Sequence, residues 1–213
     1  MENHPRKTHY EFFKAMAYPY VGITADVDVT NLVAFAKREK GSTFLACLWA
    51  AAHSANAVPE MRQRICGDKV VEYEYCRTGH TVALPNHTFC NCTTDSRMPL
   101  KEYLEYAHIA QESAKEQTGF VNQAEEETGM FFASCVPWVS FTQAIQPAPI
   151  PADCNPRIVF GKYKKEGEKV LLPVSIQCNH ALVDGYHIGL FFAFFAQVND
   201  NLTDGREPTF RLP

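Results

Sequence analysis

The sequence predicts an α+β fold, a two-layer sandwich of one mixed β-sheet with helices packed on it. Three observations carry this. Strand-like and helix-like stretches are intermixed along the chain, and hairpin-like pairs occur among the strands. Hydrophobic residues make up 46% of the 213, ample for a large core. The length favours a single domain covering residues 1–213.

The elements follow in order. "VGITADVDVTNLVAFAKREK" reads as an alternating strand and then a short helix beginning near Thr30, a good cap. Residues 43–57, "TFLACLWAAAHSANA", form an alanine-rich helix that is apolar almost all round and therefore buried, with Pro59 past its end. His53 within it reads as a satisfied histidine rather than a ligand. From Lys69 to Thr93 the chain reads as strands, with "RTGH" as a turn between them. Residues 97–117 make a longer amphipathic helix, with Leu100, Tyr103, Leu104 and Ala107 at helical spacing and Gly119 beyond.

The acidic "QAEEETG" reads as a solvated surface stretch. Two short strands, "MFFASCV" and "VSFTQA", are expected on either side of Pro137-Trp138. A proline-rich loop, "QPAPIPADCNP", leads to "RIVFGKY", the turn "KKEGE" and the strand "KVLLPVSIQCNH", a hairpin. Last, "YHIGLFFAFFAQV" sets Ile188, Phe191, Phe192 and Phe195 on one helical face as core material.

Composition excludes several functions. A net charge of −4 offers no basic field for nucleic acid or anionic membrane. No run approaches 18 apolar residues, and the polar start "MENHPRKTH" reads as neither signal peptide nor anchor. Of the eight cysteines, Cys47, Cys66, Cys76, Cys135 and Cys178 sit among apolar neighbours, where a free thiol acts as a small hydrophobe. A reduced cytosolic protein is expected. Cys90 and Cys92 in "FCNCT" are too close for a usual zinc pair and lack a second pair, so no metal is expected there.

"CNHALVDGYH", residues 178–187, raises the functional question. Counting by twos, Val174, Ile176, Cys178 and His180 share a face, so His180 continues a buried row at the end of a strand. Asp184 suits the cap of the following helix, with His187 near its third position. His180, Asp184 and His187 are nominal metal donors, but their spacing matches no helical pair. A catalytic base would need one neutral imidazole held in one tautomer. The residues alone leave cap, metal and base open.

"HALVDGYH" resembles the HxxxDG signature of CoA-dependent acyltransferases, most closely that of chloramphenicol acetyltransferases. Lipoyl-dependent transacylases and peptide-synthetase condensation domains carry versions of it. "SCVPWVSFT" resembles the family's S-x-x-P-W segment, and "FGKYKKEGEKVLLPVSIQ" its hairpin into the catalytic histidine. "HPRKTHYEFF" is similar to its arginine-bearing opening and "ITADVDVTNL" to its first strand, so the resemblance spans nearly the whole chain.

The resemblance implies that His180 is a general base acting without an acyl-enzyme, and that Asp184 pairs with Arg6 to shape the loop. It implies Ser134 as donor to the tetrahedral oxyanion and Phe13 as part of the acceptor pocket. Trp138 and Tyr163 would line the CoA channel, and Lys162 would meet a CoA phosphate. Acetyl-CoA would be a co-substrate, with no cofactor bound permanently, and the protein a homotrimer with sites between protomers. Chloramphenicol would be one acceptor. Three departures bear on this: Asn179 stands where the family often has a histidine, Val159 where it has a threonine, and Ala17 and Pro19 alter the acceptor region. Two alternatives follow from them. One is a same-fold acyltransferase with another hydroxyl or thiol acceptor; the other is a catalytically silent trimeric binding protein.

Overall fold

The computed structural model describes residues 6–116, 129–202 and 205–212. Helix α1 (Lys7–Lys14) precedes β1 (Tyr20–Asp28), α2 (Thr30–Arg38) and α3 (Thr43–Asn56). A short 3-10 turn, Pro59–Arg62, leads to β2 (Gln63–Cys66) and β3 (Lys69–Glu72), which pair only with each other. Then come β4 (Arg77–Ala83), β5 (Phe89–Thr94), α4 (Leu100–Lys115) and β6 (Met130–Cys135). The chain ends in β7 (Arg157–Phe160), β8 (Lys164–Glu166), β9 (Lys169–Asn179) and α5 (Gly185–Asp200).

The main sheet runs β1-β9-β7-β6-β4-β5, with β8 joined to β9 as a hairpin. The pairs β4–β6 and β6–β7 are parallel and the others antiparallel, so the sheet is mixed as expected. Period two divides its faces. Leu172, Val174, Ile176 and Cys178 of β9 and Ile158 and Phe160 of β7 join one apolar cluster with α3 and α5. Ser175, Gln177 and Asn179 alternate with them and point the other way. Helix α3 is buried almost throughout; its Trp49 indole N–H donates to Met98 O at 2.9 Å. Each fully buried large side chain of this cluster stabilises the fold by about 1.5–3 kcal/mol.

Several expectations need correction. "RTGH" is not a turn but part of β4, a strand paired on both sides, where tertiary pairing overrides the local glycine signal. The reversal comes later: Leu84 N–H bonds Thr88 O, and Asn86 Oδ1 accepts from Thr88. "VSFTQA" forms no strand, because β7 occupies the place beside β6; Lys162 N–H donates to Val139 O at 2.8 Å. Phe192 flanks the buried stripe of α5, and Phe194 lies inside it. Cys66 is exposed; all eight cysteines are free. Gly119 and all of "QAEEETG" but Gly129 lie outside the described residues. Among the described residues no helix is long and apolar enough to cross a membrane.

Candidate active site

Strand β9 delivers His180 to a tight turn ahead of α5. The expected buried row stops at Cys178, because the chain turns after Asn179 and leaves His180 half-buried. Its backbone N–H donates to Pro19 O at 2.7 Å. Phe13 of α1 stacks on the imidazole, with centroids 3.8 Å apart and planes 16° from parallel. His180 Nδ1 lies 3.0 Å from Val183 O. A carbonyl only accepts, so Nδ1 carries the proton and Nε2 keeps a free lone pair in the neutral ring.

Asp184 serves two purposes at once. It caps α5, accepting from Tyr186 N–H at 3.0 Å, while His187 Nδ1 accepts from Asp184 N–H to complete a capping box. Its other oxygen accepts from Arg6 Nη1, and Arg6 Nη2 reaches His180 O at 3.4 Å. Burial lowers the Arg6 guanidinium from its usual value, and the Glu60 carboxylate opposes that shift. The cap and the Arg6 pair are therefore compatible readings of one carboxylate. Of the nominal metal donors, His187 uses Nδ1 to accept the Asp184 N–H, and its Nε2 faces Glu60 at 3.6 Å. Among the described residues no three His, Cys, Asp or Glu side chains cluster for an ion. His53 Nε2–H donates to Ser96 O at 2.9 Å, and burial pushes the imidazole pKa down to about 4.

Ser134 lies on β6 with its hydroxyl 3.1 Å from that of Thr81 on β4. Sequence reasoning missed Thr81, since only the β4–β6 pairing brings it there. Val159 is the register partner of Ser134, and Ser175 is in turn the partner of Val159. Asn179, the last residue of β9, lies four residues past Ser175, and His180 follows it. Two strand spacings and four strand residues set Ser134 and the end of β9 about 17 Å apart in one chain. Ser134 and His180 do not meet within one chain.

Lys162 and Tyr163 line a cavity of about 470 Å³ together with Phe44, Cys47, Cys135 and Phe160, at the N-terminus of α3. Burial pushes the Cys47 thiol up to about 12 and the Cys135 thiol up to about 11, so both stay neutral walls. Trp138 does not line this cavity; it is 74% exposed, next to the lining residue Pro137.

A sequence model described as chloramphenicol acetyltransferase matches residues 1–195. A chloramphenicol acetyltransferase of Klebsiella sp is 28% identical over 207 residues, covering 94% of this chain and 92% of the relative. A solved structure of a chloramphenicol acetyltransferase superposes with a TM-score of 0.84 at 24% identity, covering 92% of this chain and 95% of that one. The cubic core of a pyruvate dehydrogenase multienzyme complex superposes with a TM-score of 0.68 at 16% identity, covering 92% and 86%. At those identities the two superpositions speak to the fold alone. The family match over most of the chain is the broader finding, and it agrees with the mixed sheet and the HxxxDG turn. The chain belongs to the chloramphenicol acetyltransferase family.

Proposed function

We propose that this protein transfers acetyl directly from acetyl-CoA to an acceptor hydroxyl, with His180 as general base. The observation that carries the reading is the Nδ1–H contact to Val183 O, which leaves Nε2 able to accept a proton. Family membership supports acetyl-CoA-dependent O-acetyl transfer as the activity. Nε2 takes the acceptor's proton as its oxygen attacks the thioester carbon. The former carbonyl oxygen becomes an oxyanion, to which the Ser134 hydroxyl donates. Collapse expels the CoA sulfur, which recovers the proton from His180. No acyl-enzyme forms, and no cofactor is bound permanently.

The separation of Ser134 and His180 supports a site completed by a second copy, and family membership supports a homotrimer as that assembly. In that assembly His180 of one protomer works with Ser134 of its neighbour. Arg6 and Asp184 hold the loop, and Phe13 both orients the imidazole and borders the acceptor. The cavity beside Lys162 and Tyr163 supports CoA binding: apolar walls suit its ring and stem, and the ammonium suits a phosphate. Trp138 lies on the surface beside that cavity, at the edge of the same channel. Free thiols throughout support a reducing, cytoplasmic setting.

Chloramphenicol is the acceptor that the names of the relatives support. Val159, Ala17 and Pro19 favour a second reading, in which another hydroxyl or thiol is the natural acceptor. Incubation with acetyl-CoA and a panel of acceptors including chloramphenicol, with products read by mass spectrometry, tests both. A product heavier by one acetyl group is expected; its absence across the panel, with acetyl-CoA bound, would favour a silent binding protein.

A further inference from the structure

The turn that carries His180 is organised almost entirely by its predecessor. Asn179 O accepts from Leu182 N–H at 3.1 Å and from Val183 N–H at 3.0 Å. Its side-chain Oδ1 accepts from Ala181 N–H at 3.0 Å. Three consecutive N–H groups thus end on the two oxygens of one residue, and the fourth, that of His180, ends on Pro19 O. The same turn fixes the position of Val183 O, the atom that selects the His180 tautomer.

Asn179 is in turn held from the far side. Its Nδ2 donates to Asp153 O at 2.9 Å, which fixes which way the amide points. Asp153 does not move freely either. Its carboxylate accepts from Arg157 Nη1 at 2.8 Å and Nη2 at 2.7 Å, a two-pronged ion pair that is largely buried. Tyr20 Oη donates to Asp153 Oδ1 at 3.0 Å and accepts from Asp153 N–H at 3.0 Å. Tyr20 is also the register partner of Asn179 across β1 and β9. Arg157, Asp153 and Asn179 therefore form a chain of contacts from β7 to the turn.

We infer that Asn179, anchored by Asp153, is a positioning residue: it places Val183 O so that His180 keeps its proton on Nδ1 and its lone pair on Nε2. This rests on the reading of His180 as the base. It also accounts for the departure noted in the sequence. A histidine at 179 carries Nδ1 where asparagine carries Oδ1, so either residue can take the Ala181 N–H, whereas alanine cannot. Histidine keeps that acceptor and puts a carbon where Nδ2 meets Asp153 O, so asparagine alone makes both contacts.

Two readouts separate this role from simple loss of folding. One is kcat and KM for acetyl-CoA in acetyl transfer to chloramphenicol by the assembled protein. The other is the pair of ring-nitrogen NMR shifts of His180 in histidine-labelled protein, assigned by a His180→Gln spectrum and read without turnover. Wild type is expected to show a protonated Nδ1 and an unprotonated Nε2. Asn179→Ala should give averaged tautomers and a kcat lower by about 10- to 100-fold, the order of loss that follows a misplacement near 1 Å, with KM changed less than about twofold. Asn179→His should restore both in part, because it keeps an acceptor for Ala181 N–H and loses the Nδ2 donor to Asp153 O. If Asn179→Ala does not fold, Asp153→Asn reads the same tautomer, weakening the anchor while leaving the turn's own contacts in place. A wild-type tautomer and wild-type kcat in Asn179→Ala, or a wild-type tautomer in Asp153→Asn where that variant stands in, would overturn the inference. No acetyl transfer by any form, with the tautomer still altered in Asn179→Ala, would sustain the positioning role and remove the proposed activity.

Discussion

Arg6→Ala leaves Asp184 at the start of α5 with its contact to Tyr186 N–H intact and no cationic partner. Asp184→Ala removes the pair and the cap together and takes from the guanidinium its carboxylate partner at the turn. The two side chains are 15% and 31% exposed, between a surface pair and a buried one. Breaking surface pairs costs up to about 1 kcal/mol and breaking buried ones about 3–5, so about 2 kcal/mol is a screened value for this pair. An N-cap adds about 1 kcal/mol. Arg6→Ala should then cost about 2 kcal/mol and Asp184→Ala about 3. The double variant leaves no lone charge and should cost less than the sum, with a coupling of about 1–3 kcal/mol. Asp184→Asn, which keeps the cap acceptor, should resemble Arg6→Ala. The assay is urea unfolding at one fixed protein concentration, because assembly contributes to stability, together with initial rates of acetyl transfer. Both single variants should lose activity, and the double variant less than the product of the two losses. Additive free energies with multiplicative rate losses would show that the two residues act independently, and would refute the reasoning.

The remaining expectations are simpler to state. His180→Ala should lower acetyl transfer by at least about 10²–10⁴ while leaving the circular dichroism spectrum and CoA binding nearly unchanged; a turnover like wild type would contradict its role. Ser134→Ala should lower kcat by roughly 10²–10³ with little change in KM for acetyl-CoA, and a loss under about twofold would mean that other donors hold the oxyanion. Val159→Thr should leave kcat equal or raise it by a contact worth at most about 0.5–1.5 kcal/mol; strong impairment would assign Val159 to apolar packing. Stability should fall as pH drops from 6.5 toward about 4, because burial holds His53 and His80 near 4 while the unfolded chain protonates them near 6.5. Each contributes a slope of up to about 1.4 kcal/mol per pH unit in that window and none above it, so His53→Gln or His80→Gln should flatten urea midpoints measured across it. An unchanged slope would show that the histidines protonate equally in both states.

Strand β9 and helix α5 were legible because their signals are strong and local: eleven residues of alternation into the core, then a phenylalanine stripe. The same locality explains the misses. "RTGH" carries a glycine that signals a turn in isolation, yet β5 and β6 claim it from both sides. "VSFTQA" has strand composition, but β7 already occupies the neighbouring place. The site divides in the same way. His180 and Asp184 stand out by motif, and the Arg6 pair follows from the family resemblance. Thr81 beside Ser134 and Asp153 beside Asn179 rest on contacts between residues 53 and 26 positions apart, which no local pattern announces. Nor does periodicity reveal that His180 and Ser134 lie far apart in one chain; that needs the register of β6, β7 and β9.

The central claim, that His180 of one protomer acts with Ser134 of another, can be measured directly by complementation. His180→Ala and Ser134→Ala proteins are each nearly inactive. Unfolded together in equal amounts and refolded, they should assemble at random. A site is intact when its histidine comes from a Ser134→Ala chain and its serine from a His180→Ala chain, which is about one site in four for a cyclic assembly. The account predicts that acetyl transfer recovers to about a quarter of the wild-type rate per site. Each variant refolded alone should stay at its own low level. If the co-refolded mixture, shown to contain both chains in one assembly, stays no more active than the variants alone, the two residues do not share a site between protomers.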